Sequence, residues 1–134
     1  DVKRGLEVMA RNNGEIWGKL DAGTEEYFKL VNRTNVKFER ILNNLLETSK
    51  VRPIIIQSLF FKVHGEAMSK AELEAYCGRL CDITDGGGQI REVHLYTVAR
   101  PTPETYATKL EAIELEQMAD MIRERAQLAV SVFP

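Results

Sequence analysis

The chain has 134 residues, of which 44% are hydrophobic and 28% charged, and its formal net charge is −2. That length suits one domain of ordinary composition, and the charge balance, with no basic stripe, argues against a stand-alone nucleic-acid-binding role. The longest apolar run, "PIIIQSLFF", is far too short to span a bilayer, and the opening "DVKRGLEV" lacks a charged-then-apolar leader, so a cytoplasmic location without membrane attachment is expected.

Taken in chain order, residues 2–11 read as a helix with Val2, Leu6, Val8 and Met9 on a loose apolar face, stopped by "NNG". Residues 15–20, "EIWGKL", read as a short strand. Thr24 then suits an N-cap, with Glu25 and Glu26 in the first turn of the helix that follows. Residues 36–48 predict a second helix, with Val36, Phe38, Ile41, Leu42, Leu45 and Leu46 on one face. "PIIIQSLFF" is the clearest strand, β-branched and nearly apolar, as expected of a parallel strand covered on both faces. Ser69 and Glu72 form an S-x-x-E capping-box pattern that opens the next helix, and "DGGG" at 85–88 ends it. Residues 90–97, "IREVHLYT", predict a third strand. Thr108 and Glu111 give a T-x-x-E pattern opening a helix to about residue 126, and "LAVSVF" closes the chain as a fourth strand.

Strands separated by helices of this length imply right-handed βαβ units and a parallel sheet. Chemistry in such folds collects where strands end, which singles out "KLDAGT", "LFFKVHGE" and "YTVARPTPE". The two cysteines, Cys77 and Cys81, lie four apart inside the Ser69 helix. Their spacing puts both thiols on one face, but a structural zinc site takes four protein ligands and this helix offers no histidine. They read as two small buried hydrophobes, and no metal site is assigned.

Three segments, "IWGKLDAGTEEYF", "PIIIQSLFFKVHGE" and "VHLYTVARPTPETYATKL" with a helix and "VSVF" behind it, resemble consecutive parts of the radical S-adenosylmethionine superfamily, nearest its branch of small or tRNA-modifying iron–sulfur oxidoreductases. The resemblance covers the chain from about residue 15, and "YTVARPTPE" after a strand is its most specific piece. It implies an α/β fold, a parallel-strand partial (β/α) barrel with about four strands here and helices outside. On this match "EIWGKL", "PIIIQSLFF" and "IREVHLYT" are the family's fourth, fifth and sixth strands. Its cluster motif, C-x-x-x-C-x-x-C in the loop after the first strand, has no counterpart: in "CGRLCDIT" Thr84 stands where the third cysteine belongs, and the segment is helical. The expectation is a single domain over 1–134, the C-terminal half of such a barrel. S-adenosylmethionine and a [4Fe–4S] cluster would belong to the parent protein, with no cluster motif in this chain, and the parent would cleave S-adenosylmethionine reductively and abstract hydrogen from a substrate. Its partners would be the N-terminal half of the barrel, or further copies of the chain joined through an exposed strand edge.

The same resemblance points to the strand ends as cofactor contacts. Lys19 and Asp21 alternate with Leu20 and share one face, suited to ribose hydroxyls and a carboxylate, or alternatively to an ion pair on the barrel rim. Trp17 shares that face and reads as packing. Gln57 interrupts an apolar strand and needs hydrogen-bond partners; Ser58 points the other way. The family's G-x-I-x-G-x-x-E pattern is absent from "IIIQSLFF", so Gln57 is not assigned to adenine. Tyr96, Thr97 and Arg100 end the sixth strand, where Arg100 suits a carboxylate or an anionic substrate, or an ion pair with Glu104. His64 reads as a solvated loop residue or a general acid–base, and His94 as a packed, hydrogen-bonded histidine. The alternative function is a self-sufficient α/β module that binds a small molecule or protein without catalysis.

Overall fold

The computed structural model describes residues 11–12, 15–31, 36–63, 65–97 and 107–134. Its elements, in chain order, are β1 (Arg11–Asn12), β2 (Glu15–Lys19), α1 (Glu25–Val31), α2 (Phe38–Val51), β3 (Ile54–Leu59), β4 (Lys62–Val63), α3 (Lys70–Asp85), β5 (Ile90–Tyr96), β6 (Ala107–Thr108), α4 (Ala112–Ala126) and β7 (Val130–Phe133). The principal sheet runs β1-β2-β3-β5-β7. β2, β3, β5 and β7 are parallel, and only β1 is antiparallel. Four parallel strands in sequence order with helices between them make an α/β partial barrel, the expected fold class. β4 and β6 pair separately as a small antiparallel ribbon that the sequence did not reveal.

One face of the sheet is the core. Ile16, Ile54, Ile56, Phe60, Val93, Leu95 and Val130 lie on it, nearly sealed from solvent. Against them pack Phe28 of α1, Phe38 and Leu45 of α2, Leu73, Tyr76 and Leu80 of α3, and Leu115 and Ile122 of α4. Each such side chain, fully buried, contributes about 1.5–3 kcal/mol. On α2, α3 and α4 the packed positions recur at i, i+3, i+4 and i+7, as in Leu115, Met118, Ala119 and Ile122, which is why these helices turn one stripe inward. Val36, expected on the α2 stripe, lies before the helix and is 45% exposed.

Helix ends depart from the patterns in an informative way. Ser69 caps α3 by accepting from the Glu72 N–H at 3.0 Å, but the Glu72 side chain does not return the bond. It reaches across to the start of α1 instead. Its Oε2 accepts from the Gly23 and Thr24 N–H groups at 2.6 and 2.9 Å, and its Oε1 from the Thr24 hydroxyl at 2.6 Å. Thr24 Oγ1 in turn accepts from Tyr27 N–H at 3.2 Å, the expected N-cap bond. A Cβ on Gly23 would collide with the backbone of Ala75 and Tyr76, so only glycine lets this turn sit on α3. α4 starts later than its T-x-x-E pattern implied: Glu111 is the N-cap and pairs with Glu114 in a complete capping box. "DGGG" ends α3 as expected, with Gly87 at φ 99°.

The proposed 2–11 helix lies outside the described residues except at Arg11, which is extended and pairs with Ile16. β2 is therefore partly covered along its outer edge. Among the described residues, no helix is long and apolar enough to cross a membrane.

Candidate functional site

The second face of the sheet carries the other parity of every parallel strand. Register places Trp17, Ile55 and Glu92 in one row across β2, β3 and β5. Lys19, Gln57, His94 and Ser131 form the next, and Leu59, Tyr96 and Phe133 a third nearest the strand C-termini. No described helix covers this face. Ile55 is buried, whereas Gln57, Leu59, His94 and Tyr96 are only partly so. The expectation that β3 is covered on both faces thus fails toward its C-terminal end.

Three of the predicted site residues, Lys19, Gln57 and Tyr96, come together on this face. Asp21 sits at its rim. Its Oδ1 accepts from the Leu59 N–H at 2.8 Å, clipping the end of β2 to the end of β3. Its other oxygen lies 3.6 Å from the Lys19 ammonium, whose side chain remains 56% exposed. Burial raises the Asp21 pKa above the ordinary carboxylate range; Lys19 and the Leu59 N–H oppose that shift. The rim ion pair weighed from the sequence is therefore present.

Thr97 does not join the face. It continues the parity of Val93 and Leu95, is buried, and its hydroxyl accepts from the Leu110 N–H at 2.9 Å. Its role in this geometry is to fasten the start of α4's approach to the end of β5, which removes it from the cofactor-facing set. Ser58 faces the helices as expected, in contact with the Tyr76 hydroxyl at 2.6 Å and donating to the Leu20 carbonyl. Arg100 and His64 lie outside the described residues.

The centre of the face is a cluster the sequence did not single out. Glu92 Oε1 is 2.7 Å from His94 Nε2, and Glu92 Oε2 accepts from the Ser131 hydroxyl at 2.5 Å. These two bonds, Ser131 first, lower the Glu92 pKa. Trp17 meets the His94 ring edge-on with centroids 4.8 Å apart, and Phe133 stacks on Tyr96 at 4.8 Å. Trp17 Nε1 and His94 Nδ1 are buried and have no hydrogen-bond partner among the described residues. His94 is thus packed and hydrogen-bonded, as read, but through one nitrogen only. The signal that could have located Glu92 is the i, i+2, i+4 alternation of Glu92, His94 and Tyr96; Ser131 needed the register of β7.

The cysteines lie on the opposite, helical side. Cys77 is buried, and burial, followed by Cys81, pushes its thiol up to about 11. Cys81 is only partly buried, a correction to the paired-hydrophobe reading, and its thiol approaches the Arg125 carbonyl at 3.7 Å. Among the described residues no three His, Cys, Asp or Glu side chains converge as a metal-binding group. A cleft between α2 and α3, lined by Lys37, Arg40, Arg79 and Asp82 among others, belongs to the helical layer, away from the open face.

No protein-family model matches the chain, and no curated protein matches it in sequence. Among solved structures, a domain of pyruvate-formate lyase-activating enzyme from Bacteroides vulgatus superposes with a TM-score of 0.65 at 12% identity. The alignment covers 88% of this chain and 66% of that one, slightly under two thirds of its length. At this identity the likeness is one of fold.

Proposed function

We propose that this chain is part of a radical S-adenosylmethionine enzyme, contributing the C-terminal strands of the barrel and the face on which the cofactor lies. The observation that carries the reading is the open sheet face. Polar and aromatic side chains from four parallel strands are gathered there near the strand C-termini, where ligands of α/β folds bind. Two things support the family in particular: the sequence resemblance of the strand ends, and the fold shared with an activating enzyme of that superfamily.

The donor set fits S-adenosylmethionine. Lys19 presents an exposed ammonium for a carboxylate, Gln57 an amide, and Trp17 an indole N–H without a partner among the described residues. Tyr96, stacked on Phe133, offers an aromatic wall, and Arg100 is assigned by the resemblance a second contact for a carboxylate or anionic substrate. Asp21 acts through Lys19, holding the ammonium at the rim. S-adenosylmethionine, when bound, supplies the sulfonium carbon–sulfur bond on which such enzymes operate; this chain's residues would bind it, orient it and keep water from it. A [4Fe–4S] cluster does not fit the residues described. Both thiols are helical, and Cys77 is held protonated on the far side of the sheet. The cluster would be housed by a segment preceding Asp1, which would also complete the barrel. A second copy pairing on the open face would be the substitute, so an isolated chain is expected to self-associate in sedimentation equilibrium.

The test is the intact coding sequence upstream of Asp1 together with cofactor titration of the whole protein. A C-x-x-x-C-x-x-C motif upstream is expected. Lys19→Ala should weaken S-adenosylmethionine binding about tenfold, the scale of one charge-assisted hydrogen bond, without changing the cluster spectrum. A complete protein with no such motif would sink the proposal and leave a non-catalytic binding module.

A further inference from the structure

The Glu92–His94–Ser131 cluster does more than pack. An ionised carboxylate can only accept hydrogen bonds, so the 2.7 Å contact requires the proton on His94 Nε2. When the imidazole is neutral, Nδ1 is then its acceptor nitrogen. It is buried, and among the described residues nothing donates to it. The second oxygen of Glu92 is held by Ser131, which comes from the last strand of the sheet. The order of contacts is therefore Ser131 to Glu92 to His94, ending in an unused acceptor on the open face. On the same face Trp17, packed edge-on against His94, carries an unused donor. Unpaired buried polar groups are a standing cost to a fold, and they cluster where a ligand or a covering element completes the bonding.

We propose that Glu92 is a positioning residue: it fixes His94 in the Nε2–H tautomer so that Nδ1 accepts a hydrogen bond from an O–H or N–H group of the ligand bound on the open face. Ser131 sets the carboxylate, so the C-terminal strand takes part in the site as well as in the sheet. The ligand class follows from the chemistry. It must present a hydroxyl or amine donor to the second row of the face, beside Gln57 and Lys19, which register aligns with His94. A half-buried histidine fixed by a carboxylate behind it presents one imidazole nitrogen and withholds the other. The ligand part of the inference rests on the reading of this face as the cofactor and substrate face; the tautomer part does not.

The experiment is nitrogen-15 NMR of the imidazole in the 134-residue chain, at about pH 8, where a reference histidine is neutral. His64→Gln removes the other imidazole. A single form is expected, with a pyrrole-like Nε2 and a pyridine-like Nδ1. Glu92→Ala should convert it to averaged tautomers, Glu92→Asp should restore part of the bias, and Ser131→Ala should weaken it. A protonated Nδ1, or averaged tautomers in the parent chain, would overturn the assignment without reference to any variant's folding. An unchanged tautomer in a folded Glu92→Ala chain would overturn it equally. S-adenosylmethionine, whose ribose and amino groups are donors of the required class, is then added to the whole protein with the segment preceding Asp1, the His94 signals being assigned by difference from His94→Gln. An upfield movement of Nδ1 is expected on binding, and binding that leaves Nδ1 where it was would refute the acceptor role. If calorimetry shows no binding at all, the reading of the face fails, while the tautomer still decides the role of Glu92.

Discussion

The two faces of one sheet obey different rules. On the helical face the positions follow apolar periodicity save for a few, and its polar exceptions are bonded: Ser58 to Leu20 and Tyr76, Thr97 to Leu110. The open face mixes Trp17, Lys19, Gln57, Glu92 and His94, and leaves two of its buried nitrogens unpaired among the described residues. The same strands carry both, since alternation gives each strand one set of side chains for stability and one for chemistry. Substitutions of the same type on the two faces should therefore differ in consequence.

The sharpest contrast is within β3. Ile56→Ala, on the covered face, should cost about 4 kcal/mol in urea denaturation, in the range for fully buried aliphatic truncations. Leu59→Ala, on the open face, should cost about 1 kcal/mol, because its surroundings are already partly solvated. Equal losses would erase the distinction. Gly23→Ala should cost about 3 kcal/mol or prevent folding, since the new methyl meets backbone that cannot give way. Glu72→Ala should cost about 3 kcal/mol, as it strands the Gly23 and Thr24 N–H groups that its carboxylate satisfies.

Two carboxylates of the open side should show opposite pH dependence. The Asp21 pKa is raised by folding, so its contribution is greatest below the unfolded value near about 3.9 and declines as pH rises through the folded one. The Glu92 pKa is lowered, so its contribution is present above the unfolded value near about 4.3 and is lost as pH falls through the folded one. Melting temperatures between about pH 3 and pH 7 should lose their fall with rising pH in Asp21→Asn, and part of their acid-side fall in Glu92→Gln. Matching slopes for the two variants would contradict the assigned environments. The smallest effect is chemical: Cys81 should react with iodoacetamide in the folded chain, and Cys77, with its thiol pushed to about 11, only on unfolding.

Much of this architecture is legible in the sequence because it rests on local periodicity. The strands at Glu15–Lys19, Ile54–Leu59, Ile90–Tyr96 and Val130–Phe133 all fall within the segments that alternation and β-branching mark. Lys19, Gln57 and Tyr96 were singled out by the family resemblance at the strand ends, and strand alternation brings them to one face. What stayed hidden depends on partners far along the chain. Ser69 and Glu72 match a local capping pattern, yet the carboxylate has a better offer from two backbone donors and a hydroxyl brought to it by the fold. Thr97 looks like a strand-end polar residue until Leu110 is placed beside it. Glu92 and Ser131 acquire meaning only once β7 is laid in register on β5.

The clasp between Glu72 and the start of α1 also governs how the molecule comes together. α1 has seven residues, too few to persist alone in water. The carboxylate that completes its first turn is 48 residues further on, across α2 and β3. Until the chain has closed that loop, the amides at Gly23 and Thr24 have only water to bond, and α1 has no anchor. α1 must then form late and together with α3, so the two helices should exchange their amide hydrogens as one cooperative unit rather than as separate pieces. An element that looks like an independent local helix is, in folding terms, an extension of one formed 48 residues away.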